Sequence, residues 1–424
     1  MSREKKNIWV FHHYATPPTM NGFTRPYKFA VHMNEEDFKT TVFAASYLHF
    51  SDKNLIEDNR KYVTQIHSDV KFVFVKTPSS AKNIIERIKN MLAYSFKLFS
   101  FTKRNAIEKK EEPSIIYASS PHPLALIAGI KVAKKYNVPC IVEIRDLWPE
   151  TIFAFGKAKE NSLVGKLLIN GEHWIYKNAD SIVFLKEGDT DYLKEKKWLI
   201  SQGGDIDINK CYYINNGVDI ESFNKQVSEE TFNDVDLNDD KFKVMYAGAI
   251  RPINNVGSIL DSAKMLLDKE RIQFLIYGDG NQREMLIERV KDENITNVKI
   301  KGYVDKKYMP YVLSKSAINI LSYSQSKYNW SRGNSSNKLF EYMASGKPII
   351  STVKMGYSPI EKYDCGVSLE NDTPEALAEA VLNIYNMSSD RYTEISENAK
   401  KGAKDFDYKK LTKDLVAVME SQLL

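Results

Sequence analysis

Ser336, Asn337, Lys338 and Glu341 are the residues of this sequence best arranged to do chemistry together. They belong to one stretch, residues 335–350. There a polar loop passes into a segment striped by Leu339, Phe340, Met343 and Ala344 and then into Gly346-Lys347-Pro348. The stripe has helical spacing. Gly346 suits the position just past a helix end, and Pro348 blocks continuation. Ser335, Ser336, Asn337 and Lys338 then lie at the helix start, where unpaired N–H groups and a partial positive charge attract phosphate. Glu341, one turn further on, is placed to accept hydrogen bonds from hydroxyls. A diphosphate followed by a ribose matches that pairing of groups. The stretch taken alone fits equally well a capped amphipathic helix with a surface glutamate.

A second group is His122, Arg145 and Asp146. Residues 114–120 read as a strand ending at Pro121-His122-Pro123, and 140–144 as a strand ending at Arg145-Asp146-Leu147-Trp148-Pro149-Glu150. All three side chains fall at the carboxyl ends of strands, where open α/β sheets place ligands. His122 also fits a helix start between two prolines, and Asp146 fits an N-cap or a turn. The first strand, 7–11, leads into a loop over 12–22 that ends at Gly22. In the second half the strand over 242–248 ends at Gly248, and Arg251 and Asn255 lie in the loop before a helix. The strand over 272–277 runs into Gly278-Asp279-Gly280. The third position of a dinucleotide glycine fingerprint is Arg283, so the signal for a nicotinamide cofactor is broken. Tyr303 and Val304 follow the strand over 298–302.

The elements that must carry these residues alternate strand, loop and helix twice over. That order argues for α/β architecture with two doubly wound domains, and 424 residues are too many for one ordinary core. Residues 224–241, polar and acidic, read as the linker. The expected division is 1–223 and 224–405, followed by a terminal helix over 406–424. Hydrophobic residues make up 43% and charged ones 27%, as in a soluble globular protein. The net charge of +5 is too mild to argue for nucleic acid and suits an anionic ligand or membrane surface. Cys140, Cys211 and Cys365 form neither a metal nor a disulfide pattern, which favours a reducing cytoplasm. The first residues lack the apolar run of a signal peptide, and no segment approaches the ~20 apolar residues that span a bilayer. Residues 83–110 interleave aromatic and aliphatic residues with Arg87, Lys89, Lys97, Lys103 and Arg104. Such a helix can lie in a headgroup layer, or pack on a core with a solvated basic face. All 7 histidines fall within the first 173 residues, so the second half works without imidazole.

On these residues the chain resembles the retaining glycosyltransferases of the GT-B group known as family 4. Their usual Glu-x7-Glu pattern is incomplete, because the first Glu would fall at Gly333. Asn337-Lys338-Leu339-Phe340-Glu341-Tyr342 is closer to the Ser-Lys-Leu-x-Glu-Tyr variant of enzymes acting on lipid-linked sugars. Arg145-Asp146-Leu147-Trp148-Pro149-Glu150 is similar to a phrase of the N-acetylfucosamine transferases of bacterial surface-polysaccharide assembly, and Asn216-Gly217-Val218-Asp219 to a mark at the family's domain junction. The resemblance implies a GT-B fold of two Rossmann-like domains facing each other across a cleft. It implies donor contacts from Gly22, Gly248, Arg251, Asn255, Gly278, Gly280, Tyr303, Val304, Ser336, Asn337, Lys338, Leu339 and Glu341. The family's Arg after the first glycine and Lys some five residues later are replaced by Ala249 and Asn254, so Arg251 and Lys338 are the candidates to substitute. Asp146, His122 and Arg145 would serve the acceptor. The implied donor is a UDP-sugar, used without a metal cofactor, and the implied acceptor is a saccharide on an isoprenoid diphosphate. The implied location is the inner face of the cytoplasmic membrane, met through residues 83–110, with no role for nucleic acid. Two other readings share the features: a UDP-N-acetylglucosamine 2-epimerase of the same fold, and a non-catalytic sugar-nucleotide-binding assembly protein.

Overall fold

The structure, a computed structural model, describes residues 5–423 except 21, 50, 80–82, 103–110, 155 and 328. The chain divides into two units, one of residues 1–215 with 411–424, the other of residues 216–410.

The first unit contains β1 (Lys6–Phe11), α1 (Arg25–Glu35), β2 (Phe38–Ala45), the short strands β3 (Tyr47–Leu48) and β4 (Lys53–Asn54), β5 (Tyr62–His67), β6 (Val70–Val75) and α2 (Ile84–Thr102). It continues with β7 (Ile115–Ser119), α3 (Pro123–Tyr136), β8 (Cys140–Ile144), α4 (Trp148–Ala154), α5 (Leu163–Asn178), β9 (Ser181–Phe184), α6 (Asp189–Glu195) and β10 (Cys211–Tyr213). Among the described residues eight strands form one sheet in the order β10-β9-β8-β7-β1-β2-β6-β5. All neighbours are parallel except β5 against β6. The central strands are apolar on both faces, as parallel strands covered by helices must be.

The second unit runs through α7 (Ile220–Glu229), α8 (Val235–Asn238), β11 (Phe242–Ala247), α9 (Val256–Lys264), β12 (Ile272–Tyr277), α10 (Arg283–Asp292), β13 (Val298–Gly302), α11 (Met309–Ser314) and β14 (Ile318–Leu321). Then come α12 (Asn337–Ser345), β15 (Ile349–Ser351), α13 (Pro359–Lys362), β16 (Gly366–Ser368), α14 (Pro374–Tyr385) and α15 (Ser389–Asp405). Its sheet is parallel, in the order β13-β12-β11-β14-β15-β16, the doubly wound pattern. Each unit is Rossmann-like, as the two doubly wound domains of the sequence reading require. Helix α16 (Tyr408–Ser421) follows, and residues 411–424 cluster with the first unit.

The unit boundaries fall at 215/216 and 410/411 rather than at the expected 223/224 and 405/406. The reason is local. Val218 donates to Phe406 O and accepts from Tyr408 N (both 3.0 Å), which ties the start of the second unit to its end. Residues 224–241, read as the linker, belong to the second unit and are tied into it. Asp219 caps α7, and Asp234 and Asp236 both pair with Lys301, at 2.6 Å from Asp234. Tyr277 also donates to Asp234 (2.8 Å). Acidic composition was the sequence signal, and the partners lie too far along the chain to be seen in it.

Helix α2 packs on the core along one face and leaves an apolar stripe exposed along another. Met91, Tyr94 and Leu98 are buried, and Tyr94 Oη donates to Phe43 O (2.8 Å). Ile84, Ile85, Ile88, Leu92 and Phe96 form an exposed apolar stripe, Phe96 at 73% exposure. Lys103 and Arg104 lie outside the described residues. Among the described residues no helix is long and apolar enough to cross a membrane.

One carboxyl in the first unit's core fixes a pH dependence. Glu172 of α5 accepts from Tyr176 Oη (2.9 Å) and Tyr192 Oη (2.7 Å). Burial pushes its carboxyl up from 4.5 to about 7, against the pull of those hydroxyls. The folded state therefore holds a proton that the unfolded state releases, and stability falls as pH rises from about 4.5 to about 7, by about 3 kcal/mol in all. Glu172→Gln is expected to lose that slope. Urea unfolding of both proteins at pH 5 and pH 7.5 checks it, with the variant gaining relative to wild type at the higher pH.

Candidate functional site

In the second unit the strand order reverses between β11 and β14, so their carboxyl ends flank a crevice where such sheets bind ligands. The loop after β11 carries Gly248, the loop after β14 carries Tyr323, and α12 begins beside them. Tyr342 locks that helix onto the strand end: its hydroxyl accepts from Ala247 N (3.0 Å) and donates to Ala247 O (3.1 Å). Lys338, one turn earlier, is thereby held over Gly248. Its ammonium stands 5.0 Å from the centre of the Tyr246 ring and 4.8 Å from that of Tyr323, a cation–π clamp. Asn254, oriented so that both ends of its amide are satisfied, donates to Ala249 O (3.0 Å) and accepts from Lys338 Nζ (3.2 Å). The position where the family's lysine is expected thus holds the residue that receives this chain's own lysine.

Gly248 is required by that arrangement. A Cβ there would stand 2.8 Å from Lys338 Cδ and 3.0 Å from Nζ. Gly278 and Gly280 act one layer behind. Their added Cβ atoms would stand 1.8 Å from Gly248 O and 2.2 Å from Ile250 O. Gly248 N in turn donates to Tyr277 O, and Ile250 N to Asp279 O (both 2.9 Å). The pair therefore lets this backbone pack closely against the loop that carries Gly248.

Arg251 is exposed at the start of a short turn over 252–254, and Asn255 takes a left-handed conformation (φ 46°) ahead of α9. Tyr303, 65% exposed, and buried Val304 follow β13. Ser336 precedes α12, its N–H held by Asn334 Oδ1 (2.6 Å), and Asn216 Nδ2 fixes the same loop at Ser335 O (2.6 Å). Asn337 is exposed on the first turn and Glu341 is half-buried one turn later. Leu339 departs from expectation: its side chain is wholly buried in the core and its N–H donates to Ser336 O (3.2 Å), so it serves the helix. Tyr246, Tyr323 and Asn334 were not singled out from sequence, and Asn216 and Asn254 were noted there without these contacts.

In the first unit the order reverses between β1 and β7, and the loops after these strands and after β8 bring His12, His13, Phe23, His122 and Arg145 together. His122 caps α3, its Nδ1 accepting from Ala125 N (3.3 Å). Its Nε2 therefore carries the proton and donates to His13 Nδ1, 2.6 Å away. His13 is sandwiched between Tyr14 and Tyr94 (4.3 and 4.5 Å), and Asn90 faces its other nitrogen without good hydrogen-bond geometry. Burial lowers the His122 ring to about 3 and holds His13 well below its usual range. Both nitrogens of His122 are committed, so in this arrangement it is a neutral helix cap. Gly22 packs on Thr16, whose Oγ1 would lie 2.4 Å from an added Cβ.

Arg145 N donates to Ser120 Oγ (3.0 Å), and its guanidinium lies 5.1 Å from the Phe23 ring centre and 3.9 Å from Glu143. Glu143 is buried. Burial would raise its carboxyl, but Arg25, Arg145 and the Ser119 hydroxyl hold it at about 2. His12, wholly buried, makes no side-chain hydrogen bond, and burial followed by the Arg145 charge keeps it neutral. Asp146 is exposed on the bend before α4, where it edges an apolar cavity. Among the described residues no group of three or more His, Cys, Asp or Glu could hold a metal ion.

Residues 227–402, most of the second unit, match the family described as Glycosyl transferases group 1. TuaH of Bacillus subtilis (strain 168), named as a glycosyltransferase of teichuronic acid biosynthesis, is 27% identical over 266 residues, 61% of this chain and 62% of that protein. The 2-deoxystreptamine N-acetyl-D-glucosaminyltransferase of Niallia circulans is 30% identical over 122 residues, 28% of this chain and 30% of that one. The matches thus span less than two thirds of either curated relative. Among solved structures, Anabaena HepE in complex with UDP aligns with a TM-score of 0.66 over 98% of this chain and all of its own, at 13% identity, which speaks to fold alone.

Proposed function

Proceeding from a second unit that matches the group 1 glycosyl transferases, we propose that the chain is a retaining glycosyltransferase of bacterial surface-polysaccharide assembly. Its donor is a UDP-sugar, most simply an N-acetylated hexosamine or deoxyhexosamine, and its acceptor a saccharide on an isoprenoid diphosphate. The observation that carries the reading is Lys338, held over Gly248 by two aromatic rings at the switch point of a doubly wound sheet, with Glu341 a turn beyond. The cation and the α12 N-terminus meet the diphosphate, Glu341 takes the ribose hydroxyls, and Arg251 reaches the phosphates from the facing loop. UDP complexes of HepE and the name of TuaH support the donor and pathway assignments.

The reaction breaks the bond from the sugar's anomeric carbon to the diphosphate oxygen and forms one from that carbon to the acceptor oxygen on the same face. The acceptor's hydroxyl proton passes to the departing phosphate, and UDP leaves. Charge developing on the phosphate is stabilised by preorganised groups, with no metal in the scheme. Asp146, exposed at the end of β8, orients the acceptor hydroxyl. His122 acts through rigidity alone. The exposed stripe of α2 supports a peripheral position at the cytoplasmic membrane.

Titration calorimetry with UDP tests the donor half: wild type is expected to bind, and Glu341→Ala to bind about 10-fold more weakly through loss of charge-assisted ribose contacts. Mass spectrometry of UDP-sugars with short lipid-linked saccharides tests the transfer. Conversion of a UDP-sugar with no acceptor present would instead indicate the epimerase, and binding without turnover the assembly protein.

A further inference from the structure

His12 and Arg145 lie at the carboxyl ends of β1 and β8, beside the point where the first unit's strand order reverses. His12 is fully buried, and among the described residues neither of its ring nitrogens has a hydrogen-bond partner. The Arg145 side chain is 12% exposed, and its Nη1 is likewise buried and without a hydrogen bond. The two side chains share a neighbour. The Phe23 ring centre is 5.6 Å from that of His12 and 5.1 Å from the Arg145 guanidinium carbon. The Arg145 charge also reaches the His12 ring, where it helps burial to keep the imidazole neutral.

Two orphaned groups side by side are not what a core selects for stability, since a buried donor without an acceptor is costly and an apolar side chain would fill the same space. Glu143 does not serve them. Its oxygens already accept from Arg25 Nε (2.8 Å), Ser119 Oγ (2.6 Å) and Tyr117 Oη, and Arg145 Nη1 stands 3.9 Å off, beyond hydrogen-bond reach. Arg25 balances the Glu143 charge, and burial keeps His12, His13 and His122 neutral, so the Arg145 guanidinium is a surplus positive charge in this cluster. A group that accepts from an imidazole N–H and from a guanidinium, and brings a negative charge, satisfies all three demands at once. A carboxylate or a phosphate does so, whereas a neutral hydroxyl leaves the charge uncompensated. Phe23 is half-buried at the end of the loop after β1, where Thr16 N donates to Phe23 O (3.2 Å) and Phe23 N to Tyr14 O (3.3 Å). A turn about its side-chain bonds leaves both of those backbone hydrogen bonds intact.

We propose that His12 and Arg145 form a subsite for an oxyanion carried by the acceptor saccharide, a sugar carboxylate or a phosphate ester, and that Phe23 is the side chain that turns aside to admit it. This rests on the reading above in which Asp146, the next residue, orients the acceptor, and it names the chemical class of that acceptor.

Methyl glucuronoside and glucose 6-phosphate are the probes and methyl glucoside the neutral control, titrated into the full chain by ligand-observed NMR with excess UDP present, so that a phosphate does not report on the donor loop. At least one anionic probe is expected to bind about 10-fold or more tightly than the neutral one, as charge-assisted hydrogen bonds imply. The glucuronoside alone marks a carboxylate, and glucose 6-phosphate alone a phosphate ester. Arg145→Met is expected to abolish the preference. His12→Leu is expected to weaken the preferred probe about 10-fold while its unfolding temperature equals or exceeds that of wild type, because an orphaned polar ring gives way to an apolar side chain of similar size. Binding and stability moving in opposite directions separates a binding role from a structural one. If His12→Leu does not fold, Arg145→Met decides. No preference for either anionic probe, or a preference retained in Arg145→Met or in folded His12→Leu, overturns the subsite. The donor reading is kept separate by UDP itself: if UDP fails to bind while an anionic probe binds, the transferase reading falls and the oxyanion subsite stands.

Discussion

Replacing Lys338 by methionine is expected to lower kcat/KM for the sugar donor by about 10²–10³-fold, the range seen when one preorganised donor to a developing oxyanion is lost. Methionine keeps most of the stem that lies over Gly248 and removes only the charge. On the proposed donor site, the ammonium sits in a clamp that needs no reorganisation for a phosphate, because Tyr246, Tyr323 and the Asn254 carbonyl oxygen already hold it. Lys338→Arg should not restore activity fully, because the planar fork of guanidinium does not fit a point-charge site framed by two rings. Gly248→Ala gives an independent check. Its Cβ would press on the flexible end of Lys338, 2.8 Å from Cδ, so the fold should survive while the cation is displaced. Steady-state kinetics with the donor varied, beside thermal unfolding, separates the outcomes. A tenfold or smaller effect from both Lys338→Met and Gly248→Ala would remove this lysine from the donor site.

The parts of this site that sequence could show are those whose signal is local. Helix α12 was legible because Leu339, Phe340 and Met343 make a stripe and Gly346 ends it in a left-handed conformation, φ 64°. The paired doubly wound sheets were legible because each strand carries its own apolar run and each loop its own polar break. What stayed hidden depends on distance in sequence. Tyr246 and Tyr323 carry no local signal, and only the adjacency of β11 and β14 turns them into a clamp. The acids of 224–241 read as a linker because their partner Lys301 is far along the chain. His122 was ambiguous for another reason. A histidine between prolines at a strand end suits catalysis and helix capping alike, and the choice was made by His13, whose ring takes up the second nitrogen. Gly278 and Gly280 carried a phosphate-loop spacing that the fold uses to bring one backbone against another.

The largest effect on stability is expected from Arg25→Met, a loss of about 3–5 kcal/mol at neutral pH, as for other buried ion pairs broken on one side. Arg25 Nε donates to Glu143 Oε2 (2.8 Å), Nη2 to Ile214 O (2.8 Å) and Nη1 to Asn215 O. One side chain from α1 thus neutralises a carboxylate on β8 and satisfies two carbonyls after β10. Glu143 also receives the hydroxyls of Ser119 (2.6 Å) and Tyr117, so its charge cannot turn to water when the cation goes. In wild type the carboxyl is held at about 2, below its ordinary 4.5. The ion pair's contribution is therefore present above about pH 4.5 and is lost as pH falls toward 2. Without Arg25 the sign reverses. Burial, the largest influence on Glu143, is then opposed by the more distant Arg145 and the Ser119 hydroxyl, so Glu143 is expected to take up a proton on folding and the variant to become less stable as pH rises. The difference between wild type and Arg25→Met should accordingly be smaller at pH 4.5 than at pH 7.5 in denaturant titrations. Adding Glu143→Gln should restore part of the loss at pH 7.5, because an amide has no charge to leave stranded, although the carbonyls of Ile214 and Asn215 would still lack their donor. A penalty that is the same at both pH values, and unrelieved by the second substitution, would mean that Arg25 stabilises the unit through those carbonyls alone.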